Sequence, residues 1–238
     1  MIGGVSTIAF VCAMPMEVKP LVRKLALRPR DIGGMRVHAG TLRSHDVVAI
    51  VTGMGTGLAR AGLERLLGAT SVDRVVVVGI TGALEDETPI GALVLPEVVV
   101  DGATGAERRP APLGAGPHAG AMWTSDSLTT DPAVLADLRA RGVVALDMET
   151  AAIAAVSEER GVPWSVFRAI SDRASDGSVD EEVFRLSNQD GTPNPAAVIR
   201  YFLRHPGRIP TMARMARGAR RATETAADAA IAACAFAP

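Results

Sequence analysis

The chain has 238 residues, 48% of them hydrophobic and 21% charged, with a formal net charge of −1 at pH 7. That length suits one α/β domain with a large core and is short for two, and the near-neutral charge gives no case for nucleic-acid binding over the whole chain. No apolar run approaches the ~20 residues of a membrane span, and Cys12, Cys234 and the scattered His38, His45, His118 and His205 lack the spacing of a disulfide framework or a metal site.

Ser6 to Ala13 is an apolar, β-rich run with no basic stretch before it, so it reads as a first strand rather than a signal peptide, and the cytoplasm is the expected compartment. Met14 opens a helix that continues through Leu25, with Glu17 in its first turn. An acid there can serve the helix macrodipole and nothing else. Met35–Leu42 and Asp46–Thr52 read as two strands joined by a polar turn. Gly53-Met54-Gly55-Thr56-Gly57 leads into a helix through Leu67. These glycines either let the backbone approach a ligand or permit a tight turn, and their spacing is not the dinucleotide fingerprint. Arg74–Val78 is a β-branched run that reads as a central strand, with a loop, Gly79-Ile80-Thr81-Gly82-Ala83-Leu84, at its end. Ile90–Val100 gives a strand pair, 102–120 is a loop rich in Gly, Pro and Ala, Met122–Ser127 is a short strand with Leu128 just beyond, and Pro132–Arg141 is a helix.

The most informative stretch follows. Val143–Leu146 suits a buried strand, and Asp147, Met148 and Glu149 stand where a helix begins. From Thr150 the Ala/Ile/Val pattern repeats at helical spacing until Gly161 and Pro163 end it. Trp164–Ile170 is the next strand, and Ser171-Asp172 lies at its carboxyl end. Ligands of open α/β sheets bind outside the carboxyl ends of the strands, which is where Glu149 and Asp172 fall. Ser-Asp after a strand is also ordinary turn chemistry.

Glu181–Leu186 reads as helical, Asn188–Pro195 as a turn-rich connector and Ala196–Leu203 as a helix. Arg200 to Arg221 holds seven arginines and no acid, interleaved with Ile209, Met212 and Met215. Such a helix is either a membrane-surface or partner-binding element or a solvated arginine face packed through its methionines. Ala222–Pro238 is a frayed helix or a disordered tail.

Met148-Glu149 followed at this spacing by Arg168-Ala169-Ile170-Ser171-Asp172 resembles the nucleoside phosphorylase and nucleosidase superfamily, above all its methylthioadenosine/S-adenosylhomocysteine nucleosidase-like branch. The resemblance runs from about Ile8 to Asp176. Ala13-Met14-Pro15-Met16-Glu17 matches the family's Ala-Met-x-x-Glu junction, Gly53-Met54-Gly55 a segment lining the nucleoside pocket, and Gly79–Leu84 its Gly-Ser-Ala-Gly-Gly-Leu loop. The fold it implies is a three-layer α/β/α domain with a central mixed, twisted sheet over residues 1–203, followed by a basic, Ala-rich helical extension over 204–238.

The activity it implies is cleavage of the N-glycosidic bond of a 5′-substituted adenine nucleoside, without metal or organic cofactor. Asp172 would protonate purine N7, Glu17 would activate water, and Glu149 would accept hydrogen bonds from the ribose hydroxyls. Met148 would pack against the sugar, Ser171 would orient Asp172, and Arg168 would order the acids or serve structure alone. Met14, Met54, Gly55, Gly79, Ile80 and Leu128 would surround the substrate. The implied partners are a small nucleoside, water and a second copy of the chain, with the dimer the expected oligomer.

Several departures from the family refine this. Phosphorylases of the superfamily carry an arginine just before the glycine loop and a hydroxyl residue within it, where this chain has Val78 and Ile80. Holding an anion there without such partners is costly, so hydrolysis is expected over phosphorolysis. The 102–120 region is shorter than in the nucleosidases by roughly one helix, which implies a more open 5′ side. Leu128 stands near where the family stacks an aromatic ring on the purine. The segment RHPGRIPTMARMAR is similar to the hopanoid-associated phosphorylase/nucleosidase group, which makes a lipid-linked nucleoside such as adenosylhopane an alternative substrate. Futalosine is a further alternative, and a nucleoside-binding protein without turnover is the non-enzyme one.

Overall fold

A computed structural model describes residues 6–114, 116–174, 181–184, 186–188, 192 and 194–235. Strand alternation builds its centre. In β1 (Thr7–Cys12), Ala9 and Val11 face one side of the sheet while Ile8, Phe10 and Cys12 face the other. The same division runs through β5 (Arg74–Ala83), with Val75 and Val77 against Val76 and Val78, and through β11 (Trp164–Arg173), with Val166 and Ile170 against Phe167 and Ala169. Strands apolar on both faces must be covered twice. On one side lie α2 (Thr56–Ala69), through Ala59, Leu63 and Leu66, and α4 (Thr150–Glu159), through Ala151, Ile153, Ala154 and Val156. On the other lie α1 (Pro15–Lys24), through Val18 and Leu21, and α7 (Ile209–Cys234), through Ala222, Ala226, Ala227, Ala230 and Cys234. This is the expected three-layer α/β/α arrangement.

The remaining strands are β2 (Arg28–Ile32), β3 (Met35–Leu42), β4 (His45–Val51), β6 (Leu93–Val94), β7 (Val98–Asp101), β8 (Glu107–Arg108), β9 (Ala121–Thr124) and β10 (Val143–Asp147). The sheet is mixed and runs β2-β3-β4-β1-β5-β10-β9-β7-β8, with β11 pairing β5 and β6. β1 and β11 lie parallel to β5, while β10 meets the far end of β5 antiparallel. The outer helices are α3 (Pro132–Ala140), α5 (Glu181–Phe184) and α6 (Pro195–Arg204), and Pro206–Arg208 forms a 3-10 turn before α7. No helix among the described residues is long and apolar enough to cross a membrane.

Three expectations need correction. The segment expected as a loop at Gly79–Leu84 continues β5 to Ala83, because β11 pairs with it through this whole stretch and β10 closes on its end. β11 likewise runs past Ile170 to Arg173, with an irregularity in register between Ile170 and Asp172, so Asp172 projects from a strand rather than from a turn. The expected tail is the third correction. Ala222–Cys234 is the buried half of a 26-residue helix, tied to α1 by ion pairs from Arg23 and Lys24 to Glu224. Alanine has the highest helix propensity and lets a helix lie close to a sheet, so a stripe with little hydropathy contrast serves as core. Residue 185 of the expected 181–186 helix, residues 189–191 and 193 of the connector, and 236–238 of the tail lie outside the described residues.

Candidate active site

A buried cation organises the site. Arg168, in the middle of β11, is only 2% exposed, and three carboxylates surround it. Its Nη2 lies 2.7 Å from Asp147 Oδ2 and 3.1 Å from Glu149 Oε2, and its Nη1 lies 3.4 Å from Glu17 Oε1. Nη1 also donates to the Ile80 carbonyl at 3.1 Å. Charges taken from water persist only when paired and hydrogen-bonded; each of the four groups has such partners here, while the buried Arg168 Nε has none among the described residues. Burial works against the guanidinium's charge, yet Asp147, Glu17 and Glu149 together hold its pKa above the ordinary arginine value.

Glu17 stands in the first turn of α1 and folds back on the chain. Its Oε2 accepts the backbone N–H of Ala13 at 2.8 Å and of Met14 at 2.9 Å, and its Oε1 accepts that of Ile80 at 2.8 Å. Burial pushes the Glu17 carboxyl above the usual range, opposed by Arg168 and these three donors. A carboxylate offers about four acceptor directions, so three are filled here and the fourth is loosely shared with Arg168.

Glu149 immediately precedes α4. Its Oε1 accepts the Gly55 N–H at 3.0 Å, and its Oε2 faces Arg168. Burial raises its pKa to about 7, with Arg168 opposing and the neighbouring Asp147 adding to the rise. Asp147, at the end of β10, accepts the Thr124 hydroxyl at 2.6 Å through Oδ1 and the Thr150 N–H at 3.0 Å through Oδ2. The Ser171 hydroxyl donates to Asp172 Oδ1.

These groups line a single cavity of about 280 Å³ at the carboxyl ends of β1, β5, β10 and β11. Of the residues singled out from sequence, Met14, Glu17, Met54, Ile80, Leu128, Met148, Glu149, Arg168, Ser171 and Asp172 all stand in its wall. Gly55 and Gly79 do not. Gly55, at φ +98°, turns its N–H toward Glu149, a backbone angle that favours glycine. At Gly79 a Cβ would lie 2.2 Å from Glu17 Oε1 and 2.6 Å from Arg168 Nη1, so this glycine makes room for the Glu17–Arg168 contact. Among the described residues no aromatic ring lines the cavity. Met14, Met54, Ile80, Leu128, Leu146 and Met148 supply its apolar surface.

Sequence reasoning left out Asp147, Arg173, Val183 and Ser187, all in the wall. Asp147 carried a signal, since it shares the strand-to-helix junction with Glu149. Val183 and Ser187 come from the segment after β11, where the motif resemblance has ended, and nothing in the sequence pointed to them.

A family model described as the phosphorylase superfamily matches residues 7–117 and 106–204. No curated protein sequence matches the chain. Solved structures with the same fold include S-adenosylhomocysteine nucleosidase from Streptococcus pyogenes, at 17% identity and TM-score 0.75, with all of both chains covered. The Helicobacter pylori 5′-methylthioadenosine/S-adenosyl homocysteine nucleosidase aligns at 16% identity and TM-score 0.74, over 98% of this chain and 99% of that one. Futalosine hydrolase of Helicobacter pylori aligns at 17% identity and TM-score 0.72, over 95% of this chain and 96% of the other.

Proposed function

The chain belongs to the phosphorylase superfamily, and on that premise we propose that it is a purine nucleosidase, hydrolysing the N-glycosidic bond of a 5′-substituted adenine nucleoside and releasing the free base. One observation carries the reading: Glu17, Glu149 and Asp172, which lie far apart in sequence, share one cavity with a buried arginine among them.

Each acid has a separate task. Asp172, ordered by the Ser171 hydroxyl, donates a proton to purine N7 as the C1′–N9 bond breaks, and the bonding pair leaves with the base. Glu149 keeps acceptor capacity beyond Gly55 and Arg168 for the ribose hydroxyls, and its charge favours the cation developing on the sugar. Water adds at C1′ and gives up a proton to the loosely engaged corner of Glu17. Asp172 ends ionised and Glu17 protonated, and exchange with solvent resets both. Met148 packs on the sugar, and Leu128 supports aliphatic contact with the base.

Water is favoured over phosphate on electrostatic grounds. Arg168 already gives both terminal nitrogens to three carboxylates and the Ile80 carbonyl, so a phosphate brought there must displace them, and Arg173, the other arginine of the wall, donates Nη2 to the Thr88 carbonyl at 3.1 Å. The Thr81 hydroxyl donates to the Leu146 carbonyl at 2.6 Å and so makes no anion clamp. The similar structures of methylthioadenosine/S-adenosylhomocysteine nucleosidase and futalosine hydrolase suggest the substrates to try.

The test is base release from methylthioadenosine, S-adenosylhomocysteine, futalosine and adenosylhopane, each with and without phosphate. Release in the absence of phosphate is expected for at least one. A strict phosphate requirement would convert the reading to a phosphorylase, and tight binding without product over hours would convert it to a binding protein. We take the enzyme to act in the cytoplasm as a homodimer. Leu58 on α2 and Val134 on α3, at 40% and 44% exposure, are apolar positions that a second copy would cover, and a monomer at micromolar concentration by sedimentation would overturn the dimer.

A further inference from the structure

The first half of α7 and the helix before it form a surface that the chemistry above does not use. α6 buries Ala197 and Tyr201, one turn apart, in a small core with Leu186. Two residues on from each stand Ile199 and Leu203, which at 100° per residue lie on nearly the opposite side of the helix. They are 62% and 80% exposed, and Ile209, at the start of α7, is 50% exposed. A helix packed on one face ordinarily presents polar residues on the other. Here the outward ridge is apolar instead, and the arginines lie beside it.

Arg200 and Arg204 each follow a ridge residue directly, and Arg214 and Arg217 continue along the exposed side of α7. No acid occurs from Arg200 to Arg221, whereas the whole chain carries a net charge of −1; among the described residues the acid that borders the patch is Glu182 of α5, 3.5 Å from His205 and beside Arg200 and Arg204, so one carboxylate stands against several guanidinium groups. The first acid of α7, Glu224, pairs with Arg23 and Lys24 of α1 and lies beyond the patch.

We infer that this surface, α6 with the first half of α7, docks on an anionic lipid bilayer. Protruding Ile and Leu enter the boundary between headgroups and acyl chains, while the guanidinium groups meet lipid phosphates at the level above. The charge pattern selects this occupant. A two-fold contact between copies of the chain would set the same arginines against themselves. A nucleic acid would match the arginines but leave Leu203 and Ile199 against a polar partner. The inference does not depend on the nucleosidase reading, because none of these side chains lines the catalytic cavity.

The test is cosedimentation of the full chain with vesicles of phosphatidylcholine, with and without phosphatidylglycerol, over a range of salt. Binding is expected only with phosphatidylglycerol, falling as salt rises. Arg204→Gln and Arg217→Gln should each weaken it about fivefold, the equivalent of about 1 kcal/mol per basic residue. Ile199→Asp with Leu203→Asp should abolish it while base release from a soluble nucleoside stays at the wild-type rate. The inference is overturned if the wild-type chain ignores anionic vesicles or if the Asp pair leaves binding intact. It is equally overturned if the Asp pair instead turns a dimer into a monomer, which would assign the ridge to a second copy.

Discussion

Glu17 and Arg168 stand 151 positions apart in the chain and meet at 3.4 Å, across space left open by the missing side chain of Gly79. The glycine is therefore tied to the chemistry through packing, although it does not touch the cavity.

Gly79→Ala tests that link. Its methyl group would sit 2.2 Å from Glu17 Oε1, so either the carboxylate leaves its three N–H donors or β5 moves. Overpacking of this kind costs about 1–3 kcal/mol. We expect a lowered Tm and at least a tenfold loss in kcat, measured by base release (about 1.4 kcal/mol of barrier). Normal turnover in a folded variant would show that the position of Glu17 is unimportant.

Asp172→Asn and Glu17→Gln address the two proton transfers directly. Each should slow base release by roughly 10²–10⁴-fold, the range for loss of a general acid or base. Circular dichroism should show the fold intact. Near-wild-type turnover in either variant would remove its residue from the assigned role.

Glu149 predicts a pH dependence of both stability and binding. Its carboxyl titrates at about 7 in the folded protein against 4.5 ordinarily. A raised value means that the neutral form suits the empty site. The associated stability is complete below about pH 4.5 and is lost as pH rises through about 7, a change on the order of 3 kcal/mol. On the proposed role of Glu149, the ionised form receives the ribose hydroxyls, so nucleoside affinity should rise by up to tenfold per pH unit until about 7 and then level. Titration calorimetry across pH, with thermal melts of the unliganded protein, measures both. Glu149→Gln should flatten each profile, and a wild-type profile already flat would contradict the assignment.

Asp147 is a positioning residue whose effect should reach the same profile. It holds Arg168 at 2.7 Å and is itself held by Thr124 and Thr150. Asp147→Asn uncouples part of a buried ion pair, and loss of one partner of such a pair costs about 3–5 kcal/mol. Because the Asp147 charge helps to raise the Glu149 carboxyl, the midpoint of the binding profile should also move below 7 in this variant. A purely structural role would lower stability and leave the midpoint in place.

Much of this was legible in the sequence, and the reason is local. Glu149 stands at a strand-to-helix junction and Asp172 at the end of an apolar strand, so pattern put both at the ligand-binding edge of a sheet, while Glu17, at a like junction, was tied to them by the family resemblance. What pattern could not give was pairing. Gly79-Ile80-Thr81-Gly82 reads as a loop until β11 is laid beside it, and only that neighbour makes it a strand. Asp147 shares its junction with Glu149, and only the fold shows that it accepts the Thr150 N–H while also holding Arg168. The burial of Ala222–Cys234 was not legible, though a helix was among the readings: hydropathy registers large side chains, and this helix succeeds by having small ones.

Gly218 lies in the arginine-bearing part of that same helix, and a Cβ there would come within 3.3 Å of the Ser171 carbonyl and 3.0 Å of Ile90 Cγ2. One helix thus has an end embedded in the sandwich, a half that carries the arginines and packs Met212 on the core of α6, and at Gly218 a close approach to the Ser171 carbonyl. Cutting the chain at position 203, before the expected extension, would strip a wall from Phe10, Val76, Val78 and Phe167. Trimming there would therefore remove core together with the arginines, because a single helix carries both.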